Sequence, residues 1–294
     1  MLTPRAKESL AILREVTAAA GLSSQGAEPI RLAENDLWRL PGNIVVRIAR
    51  AGQEYAAARE VAVARWLAEA SIPAVRPLPV EQPVHSGTRA ATFWEELPPH
   101  RHGTEVDIAP LLRRLHALPL PPFAIGHLDP FVRIEGRLSG ARSLDNDDQQ
   151  WLLRWLEDLR QEWKELPLGF PECLIHGDAW GGNCVVTPSG AVLMDFERTS
   201  QGPPEWDLAC IAVDYETFGS VSKEGYGRFC EAYGCDVMSW VGYPTLRGIR
   251  ELRKVTFALQ IADENPQALA QARYRIACVR GRRGPRPWGW SAVA

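Results

Sequence analysis

The chain has 294 residues, of which 46% are hydrophobic and 23% charged, and its formal net charge is −3. This composition excludes an intrinsically disordered chain and is typical of a folded protein long enough for two modest lobes. No apolar run approaches the ~18 residues of a membrane-spanning helix, so we expect a cytoplasmic protein without a membrane or nucleic-acid partner. The six cysteines form no Cys-x-x-Cys pair, which argues against a zinc site or a disulfide framework.

The charge is distributed unevenly along the chain. Residues 1–98 carry 11 basic and 11 acidic side chains, residues 99–272 carry 16 and 25, and residues 273–294 carry six arginines and no acid. An acidic region favours a cationic small molecule as substrate, although an ordinary solvated surface could show the same excess. For residues 281–294 we expect a basic tail that is solvated or disordered, in preference to an anion-binding site.

The first hundred residues predict a small β-rich region with two helices. The apolar spacing of residues 1–21 indicates an amphipathic helix and not a signal peptide. Residues 29–48 read as strands joined by a polar turn, and residues 53–70 as a helix. A strand that includes Thr92 ends at two prolines, which mark a linker.

Three features of this region are candidates for binding a nucleotide. There is no Gly-x-Gly-x-x-Gly loop, so the turn at Asn35 and Asp36 would have to cover the phosphates with its backbone amides. Arg47 stands on a strand where a kinase fold has the lysine that holds the α and β phosphates. Glu60 lies on an apolar helix face and needs a partner, for which Arg47 is the natural choice. An exposed strand arginine and a solvent-facing glutamate are the alternatives.

The remainder of the chain is predicted to be mainly helical. Asp107 is expected to be the N-cap of a leucine-rich helix. Residues 119–130 are rich in proline and predict an irregular segment. Further helices are expected at residues 147–166, 204–218, 221–234, 244–262 and 266–280.

The most informative segment is a polar loop between two apolar runs. Residues 176–183 read His-Gly-Asp-Ala-Trp-Gly-Gly-Asn, and Asp195 follows twelve residues later, after an apolar run that ends at Met194. Two buried strands joined by such a loop can bring Asp178, Asn183 and Asp195 together. Asp178 is then a candidate proton acceptor, and the oxygens of Asn183 and Asp195 suit Mg²⁺. The order and spacing match the catalytic loop and metal-binding aspartate of protein kinases.

Three blocks in order resemble the aminoglycoside phosphotransferase family, which includes antibiotic kinases and is related to choline-kinase-like enzymes. They are the loop at 176–183, the triplet Asp-Phe-Glu at 195–197, and Gly-Pro-Pro-Glu-Trp-Asp-Leu-Ala at 202–209. The resemblance implies an α+β, bilobal protein-kinase-like fold, with a small antiparallel β-sheet lobe at residues 1–97 and a larger, mainly helical lobe at residues 98–280. It implies an enzyme that uses ATP or GTP and Mg²⁺ to phosphorylate a hydroxyl group of a small molecule.

The resemblance also implies roles for individual residues. The backbone of the linker would bind adenine, whereas His176 and Asp207 would brace the catalytic loop. A cationic substrate would be contacted by acidic side chains, although the sequence does not choose among the candidates. The linker residues are Glu95, Glu96 and Leu97, and the candidate substrate contacts are Glu197, Glu205, Asp214 and Glu251.

The acceptor class is open at the level of sequence. An antibiotic is favoured, with an aminoglycoside or a basic peptide antibiotic first. A macrolide or an endogenous amino alcohol is the alternative, and a monomer or a homodimer is expected. A non-catalytic nucleotide-binding module is supported only by Arg47 and the missing glycine-rich loop. A protein kinase is disfavoured because no Ala-Pro-Glu segment follows Glu197, and a metal-dependent hydrolase because only one histidine lies in the loop.

Overall fold

The computed structural model describes residues 3–263 and 265–293. The α-helices of these residues are, in chain order, α1 Pro4–Ala19, α2 Glu54–Glu69, α3 Glu105–His116, α4 Ile134–Gly140, α5 Asn146–Lys164, α6 Glu205–Val213, α7 Lys223–Tyr233, α8 Tyr243–Ala262 and α9 Pro266–Val279. The strands are β1 Glu28–Leu32, β2 Asp36–Leu40, β3 Ile44–Ile48, β4 Val84–Ser86, β5 Arg89–Glu95, β6 Arg101–His102, β7 Cys173–Ile175, β8 Cys184–Thr187, β9 Gly190–Leu193 and β10 Ser200–Gly202. None of the described helices is long and apolar enough to cross a membrane.

The contacts within the chain divide it into two compact units. The first comprises the chain up to Ile125 together with His176–Ser200, and the second comprises Gly126–Ile175 together with the chain from Gln201 onwards. This division differs from the boundary expected at residue 98. The difference arises because β6 pairs with β8 and α3 packs on β8 and β9, so these elements join the first unit.

An antiparallel sheet of five strands forms the centre of the first unit, in the order β1-β2-β3-β5-β4. Side chains alternate across a strand, so one face of the sheet carries Trp38, Val46 and Phe93, which are buried against Leu13 of α1. The opposite face carries Arg47, which is in register with Leu37 on β2 and Thr92 on β5. The same alternation that builds the core therefore directs Arg47 to the other side of the sheet.

The second unit is mainly helical, as expected. Helix α8 is its central element, with contacts to α4, α5, α6 and α9. Helix α6 is followed directly by a π-helical turn at Asp214–Phe218, and turns of this kind occur frequently at functional sites. Together with the antiparallel sheet of the first unit, this helical unit confirms the predicted α+β, kinase-like fold class.

One prediction of local structure was wrong, and another was right except for its last residue. Helix α3 is capped by Thr104, whose side chain accepts a hydrogen bond from the Asp107 amide. Asp107 occupies the third helical position and bonds back to the Thr104 amide, so the two residues form a capping box. The apolar run before Asp195 forms strand β9, but this strand ends at Leu193 and leaves Met194 outside it.

The basic tail is packed against the second unit and is not a disordered extension. Trp290 is only 4% exposed, and the Trp288 amide donates a hydrogen bond to the Thr217 carbonyl at 2.8 Å. The Arg286 guanidinium binds both oxygens of the buried Glu251 carboxylate, at 2.8 and 2.9 Å. Aromatic burial and this ion pair hold the segment in place, and composition alone did not indicate either of them.

Candidate active site

A frame of hydrogen bonds connects the residues that the sequence predicted to converge. The Asn183 side-chain amide donates to the Asp178 carbonyl at 2.9 Å, and the Asn183 carbonyl accepts from the Met194 amide at 3.0 Å. Buried His176 donates from Nε2 to the Met194 carbonyl at 2.9 Å. The loop at residues 176–183 is therefore tied to the residue that immediately precedes Asp195.

Gly177 explains why this loop reads His-Gly-Asp and not His-Arg-Asp. Its φ angle is +84°, a conformation that costs an L-residue free energy. A Cβ atom at this position would lie 2.3 Å from the Arg198 carbonyl oxygen. Both the backbone conformation and the close approach of Arg198 therefore require glycine at position 177.

The side chains of Asp195 and Asn183 fit a hard divalent cation. The Asp195 side chain is 40% exposed, yet its Oδ1 atom is buried and accepts no hydrogen bond from the described residues. Because Asn183 uses its nitrogen on the Asp178 carbonyl, its side-chain oxygen is left for a ligand. A buried carboxylate oxygen without a donor and an amide oxygen are the ligand types that Mg²⁺ prefers.

Asp178 is accessible and has one basic neighbour. Its side chain is 41% exposed, and its Oδ2 atom lies 3.9 Å from Nε of Arg198. An accessible carboxylate can accept the proton of an attacking hydroxyl group. Arg198 follows the Asp-Phe-Glu triplet directly, so its position in the chain could have indicated this contact.

Arg47 is held by a cluster of oxygen atoms. It bonds to Glu60, as expected, and its Nη2 atom lies 2.9 Å from Oε2 of Glu197 and 4.0 Å from Oδ1 of Asp195. Burial alone would lower the pKa of Arg47, but these three carboxylates outweigh it and raise that pKa. Glu197, a candidate for binding substrate, is thus placed in the cluster around Arg47.

The same cluster shifts the pKa values of two acids. Burial raises the pKa of Glu60 to about 7, because Asp195 and Glu197 add their negative charges and Arg47 opposes them only in part. Burial and the nearby Glu197 also raise the pKa of Asp195. A site with several carboxylates and one arginine is short of positive charge, which is a reason for a cation to bind there.

The predicted phosphate-covering turn is divided between the two faces of the sheet. With its carboxamide oxygen turned towards Arg47, Asn35 accepts hydrogen bonds from Nη2 at 2.8 Å and Nε at 3.3 Å. The Asp36 side chain is fully buried and pairs with Arg5 and Arg89, at 3.1 and 2.9 Å. The Asp36 carboxylate therefore stabilises the fold on the α1 side. The role of the backbone amides stays a prediction.

The linker offers few free backbone donors. The amide of Glu95 is bonded to the Arg76 carbonyl at 2.9 Å and that of Glu96 to the Asn43 carbonyl at 2.7 Å. Among the three linker residues, the structure therefore leaves the amide of Leu97 for a base. The linker also lines a cavity of ≈720 Å³, at whose edge Arg39 and Glu96 form an ion pair at 2.6 Å.

Two of the candidate substrate acids are bonded to partners within the second unit. Glu205 is 2% exposed and accepts a hydrogen bond from the Phe170 amide at 2.6 Å, so it braces the loop before β7. Glu251 accepts from Thr217 at 2.7 Å and from Arg286. Asp214 is half-buried at the start of the π-helical turn, and Asp207 is fully buried in the first turn of α6. Glu205 and Glu251 are therefore structural residues in this conformation, which corrects their expected substrate role.

Arg59 is a residue that the sequence did not indicate. It lies on α2 next to Glu60, and its Nη2 atom donates a hydrogen bond to the Glu197 carbonyl. No motif marks it, because the contact depends on how α2 meets the Asp-Phe-Glu segment.

A strand arginine paired with a helix glutamate, together with the loop at residues 176–183 and Asp195, is the arrangement expected of kinase-like phosphotransferases. The model of the phosphotransferase enzyme family (APH) matches residues 27–252. The chain belongs to this family, which confirms the resemblance and the prediction of a small-molecule kinase. No curated protein matches the sequence.

Solved structures with the same fold include kinases for several small molecules. A choline/ethanolamine kinase family protein from Mesorhizobium loti is 19% identical, with a TM-score of 0.66 and coverage of 94% of this chain and 93% of that chain. An amicoumacin kinase, solved with AMP-PNP and Ca²⁺, is 13% identical, with a TM-score of 0.71 and coverage of 96% and 97%. An aminoglycoside-3'-phosphotransferase of type VIII is 21% identical, with a TM-score of 0.61 and coverage of 82% and 98%. These similarities show the fold.

Proposed function

We propose that the protein transfers the γ-phosphoryl group of ATP to a hydroxyl group of a small molecule. The observation that carries this proposal is the hydrogen-bonded frame that joins Asp178, Asn183 and Met194, next to an Asp195 oxygen that lacks a donor. A bound AMP-PNP and Ca²⁺ in the amicoumacin kinase support a nucleotide and a divalent metal for this fold.

Each residue of the site has a defined task in this reaction. Asp178 orients the acceptor hydroxyl and takes its proton as the oxygen bonds to the γ-phosphorus atom. The bond between that phosphorus and the bridging oxygen breaks, and ADP leaves. Arg47 binds the α and β phosphates and is held by Glu60. Asn183 and Asp195 would hold Mg²⁺, which supplies positive charge to the phosphate oxygens.

Linker geometry limits how the adenine base can bind. With the amides of Glu95 and Glu96 already bonded, the base would accept its hydrogen bond from the Leu97 amide. GTP presents a different hydrogen-bonding edge of its base, and no feature of the described linker residues excludes it, so both nucleotides are to be compared in the assay.

The acceptor is proposed to be an antibiotic of the aminoglycoside or basic peptide type, with an amino alcohol as the second candidate. The acidic excess of residues 99–272 favours the first. The second is favoured because Glu216 and Glu251 are neutralised by Arg247 and Arg286 of the same unit, which leaves less negative charge for a polycation. A macrolide carries less positive charge than these acceptors, so its binding would depend still less on negative charge in the protein.

The decisive experiment is a turnover assay of the parent and Asp178→Asn. Mg·ATP or Mg·GTP is supplied with a panel of aminoglycosides, basic peptide antibiotics, macrolides and amino alcohols, and the added phosphate is detected by mass. Loss of general-base catalysis should lower kcat by ~10²–10⁴-fold while nucleotide affinity stays close to that of the parent. Asp158→Asn, an exposed position on α5, is the matched control.

Two outcomes would contradict the proposal. Equal turnover in the parent and Asp178→Asn would remove Asp178 from the role of base. Nucleotide binding without phosphate transfer to any member of the panel would favour the non-catalytic nucleotide-binding module.

A further inference from the structure

Helix α2 contacts the Asp-Phe-Glu segment through two consecutive side chains. The amide of Phe196 lies close enough to the Glu60 carboxylate to lower its pKa, and Arg59 donates a hydrogen bond to the carbonyl of Glu197. The Arg59 contact holds the backbone within a short turn. That turn begins directly after Asp195, the proposed metal ligand.

The backbone of Asp195 needs such support. Its φ and ψ angles are 63° and 70°, in the left-handed region that an L-residue with a side chain rarely adopts. A non-glycine residue stays in this region only where the surrounding structure imposes it. Because the direction of the carboxylate depends on these angles, any relaxation of the turn would change where the Asp195 oxygens point.

Arg59 is itself held in position for this contact. It is half-buried, and its guanidinium carbon lies 5.6 Å from the centre of the Tyr55 ring, one turn earlier on α2. Its Nε atom is buried and has no hydrogen-bond partner among the described residues, so the bond to the Glu197 carbonyl is the polar contact that fixes the group. A charged donor makes a stronger hydrogen bond to a carbonyl than a neutral donor does.

We infer that Arg59 is a positioning residue that keeps Asp195 in its metal-binding conformation by holding the carbonyl of Glu197. This inference rests on the proposed function, since it assigns a use to the metal site. Arg59 holds this carbonyl directly, whereas Glu60 bonds to Arg47. Loss of Arg59 therefore loosens the metal ligand without removing any atom that contacts the nucleotide.

The test separates metal-dependent from metal-independent nucleotide binding. Affinity for AMP-PNP is measured by calorimetry in excess Mg²⁺ and again in EDTA, for the parent, Arg59→Ala and Arg59→Lys. Outer contacts that orient a metal ligand typically contribute ~10–100-fold to affinity, so Arg59→Ala should lose about that factor in Mg²⁺ and little in EDTA. Arg59→Lys, which can still donate to the carbonyl, should recover part of the loss.

Arg65 provides a matched control on the same helix. Its guanidinium also donates to a backbone carbonyl, that of Val80 at 2.8 Å, but this bond lies away from Asp195. Arg65→Ala should bind AMP-PNP as the parent does under both conditions. If Arg59→Ala does not fold, the same affinities in Mg²⁺ and in EDTA are compared for Arg59→Gln. Its side-chain amide is a neutral and therefore weaker hydrogen-bond donor than the guanidinium.

The outcomes distinguish this inference from the proposed function. A parent that binds AMP-PNP equally with and without Mg²⁺ would contradict the proposed metal site. A parent with metal-dependent binding and an Arg59→Ala variant that matches it would overturn the role of Arg59. An equal loss in Mg²⁺ and in EDTA would also overturn it, since Arg59 would then contact the nucleotide directly.

Discussion

At the scale of single residues, the most consequential substitution is arginine for lysine at position 47. A planar guanidinium can bind several oxygens at once, and Arg47 contacts Glu60, Glu197 and Asn35 together. A lysine ammonium group could not span these partners in the same geometry. In this conformation Arg47 is neutralised by the protein, so its proposed role requires a nucleotide to replace some of these contacts.

The titration of Glu60 gives a prediction about stability. Burial raises the pKa of Glu60 to about 7 from an ordinary value of 4.5. Between these values the folded protein holds a proton that the unfolded chain has released. The free energy of unfolding of the metal-free protein should therefore fall as pH rises from about 5 to 7, by on the order of 2 kcal/mol, and level off above 7.

Urea denaturation across this pH range, in EDTA, measures the effect. Glu60→Gln has no carboxyl group to titrate, so its unfolding free energy should fall less between pH 5 and 7 than that of the parent. The variant also loses the ion pair with Arg47, which changes its stability at every pH. The quantity to compare is therefore the slope of the unfolding free energy against pH, and not its absolute value. Identical slopes would show that Glu60 does not titrate in this range.

At the scale of elements, the C-terminal segment is an integral part of the second unit. Arg286 binds Glu251 on α8, and Glu251 in turn accepts a hydrogen bond from Thr217 in the π-helical turn. Helix α8, the π-helical turn and the tail therefore meet at one buried carboxylate. The ion pair fixes the tail relative to the two elements that lie beside it.

Removal of Arg286 should destabilise the protein, because it leaves the Glu251 carboxylate buried without a positive partner. We expect Arg286→Ala to lower the free energy of unfolding by about 3 kcal/mol. The double variant with Glu251→Gln should recover part of this loss, since no charge is then buried. Chemical denaturation is the measurement, and Arg283→Ala in the exposed part of the same segment is the control. If the ion pair of the tail contributed little to stability, Arg286→Ala and Arg283→Ala would have equal free energies of unfolding.

At the scale of the whole molecule, ligand binding should be visible as a change in stability. A ligand that binds only the folded state stabilises it by about 2.7 kcal/mol at a concentration 100 times its Kd. Mg²⁺ with AMP-PNP should therefore raise Tm, and EDTA should remove the metal-dependent part of that rise. Asp195→Ala should eliminate the same part while it retains the rise due to the nucleotide alone.

Thermal denaturation with and without each ligand tests this expectation. Asp195→Ala in Mg²⁺ should behave like the parent in EDTA. If the variant kept the full metal-dependent rise, Asp195 would not be a metal ligand. Asp158→Asn serves again as a variant whose change in Tm should match that of the parent.

The sequence alone determined the fold class and the family, and it indicated the candidate catalytic segments. The sequence predicted that Asp178, Asn183 and Asp195 converge because they lie within twenty residues, two of them in a polar loop and the third directly after the next apolar run. The expectation that Arg47 and Glu60 would pair followed from one strand and one helix with clear periodicity, and the structure places the two side chains in contact. Over such short segments, the regular geometry of strands and helices leaves few alternatives for which side chains can meet.

Only the tertiary structure decided the contacts of Asp36, Arg59 and Glu251. The face of the sheet that receives Asp36 is set by strand register, in which a shift of one residue would reverse the direction of the side chain. The contact of Arg59 with Glu197 joins positions 138 residues apart, and Arg286 reaches Glu251 only because the aromatic tail is buried. These contacts depend on how separate elements pack, a property that no pattern within a single segment contains.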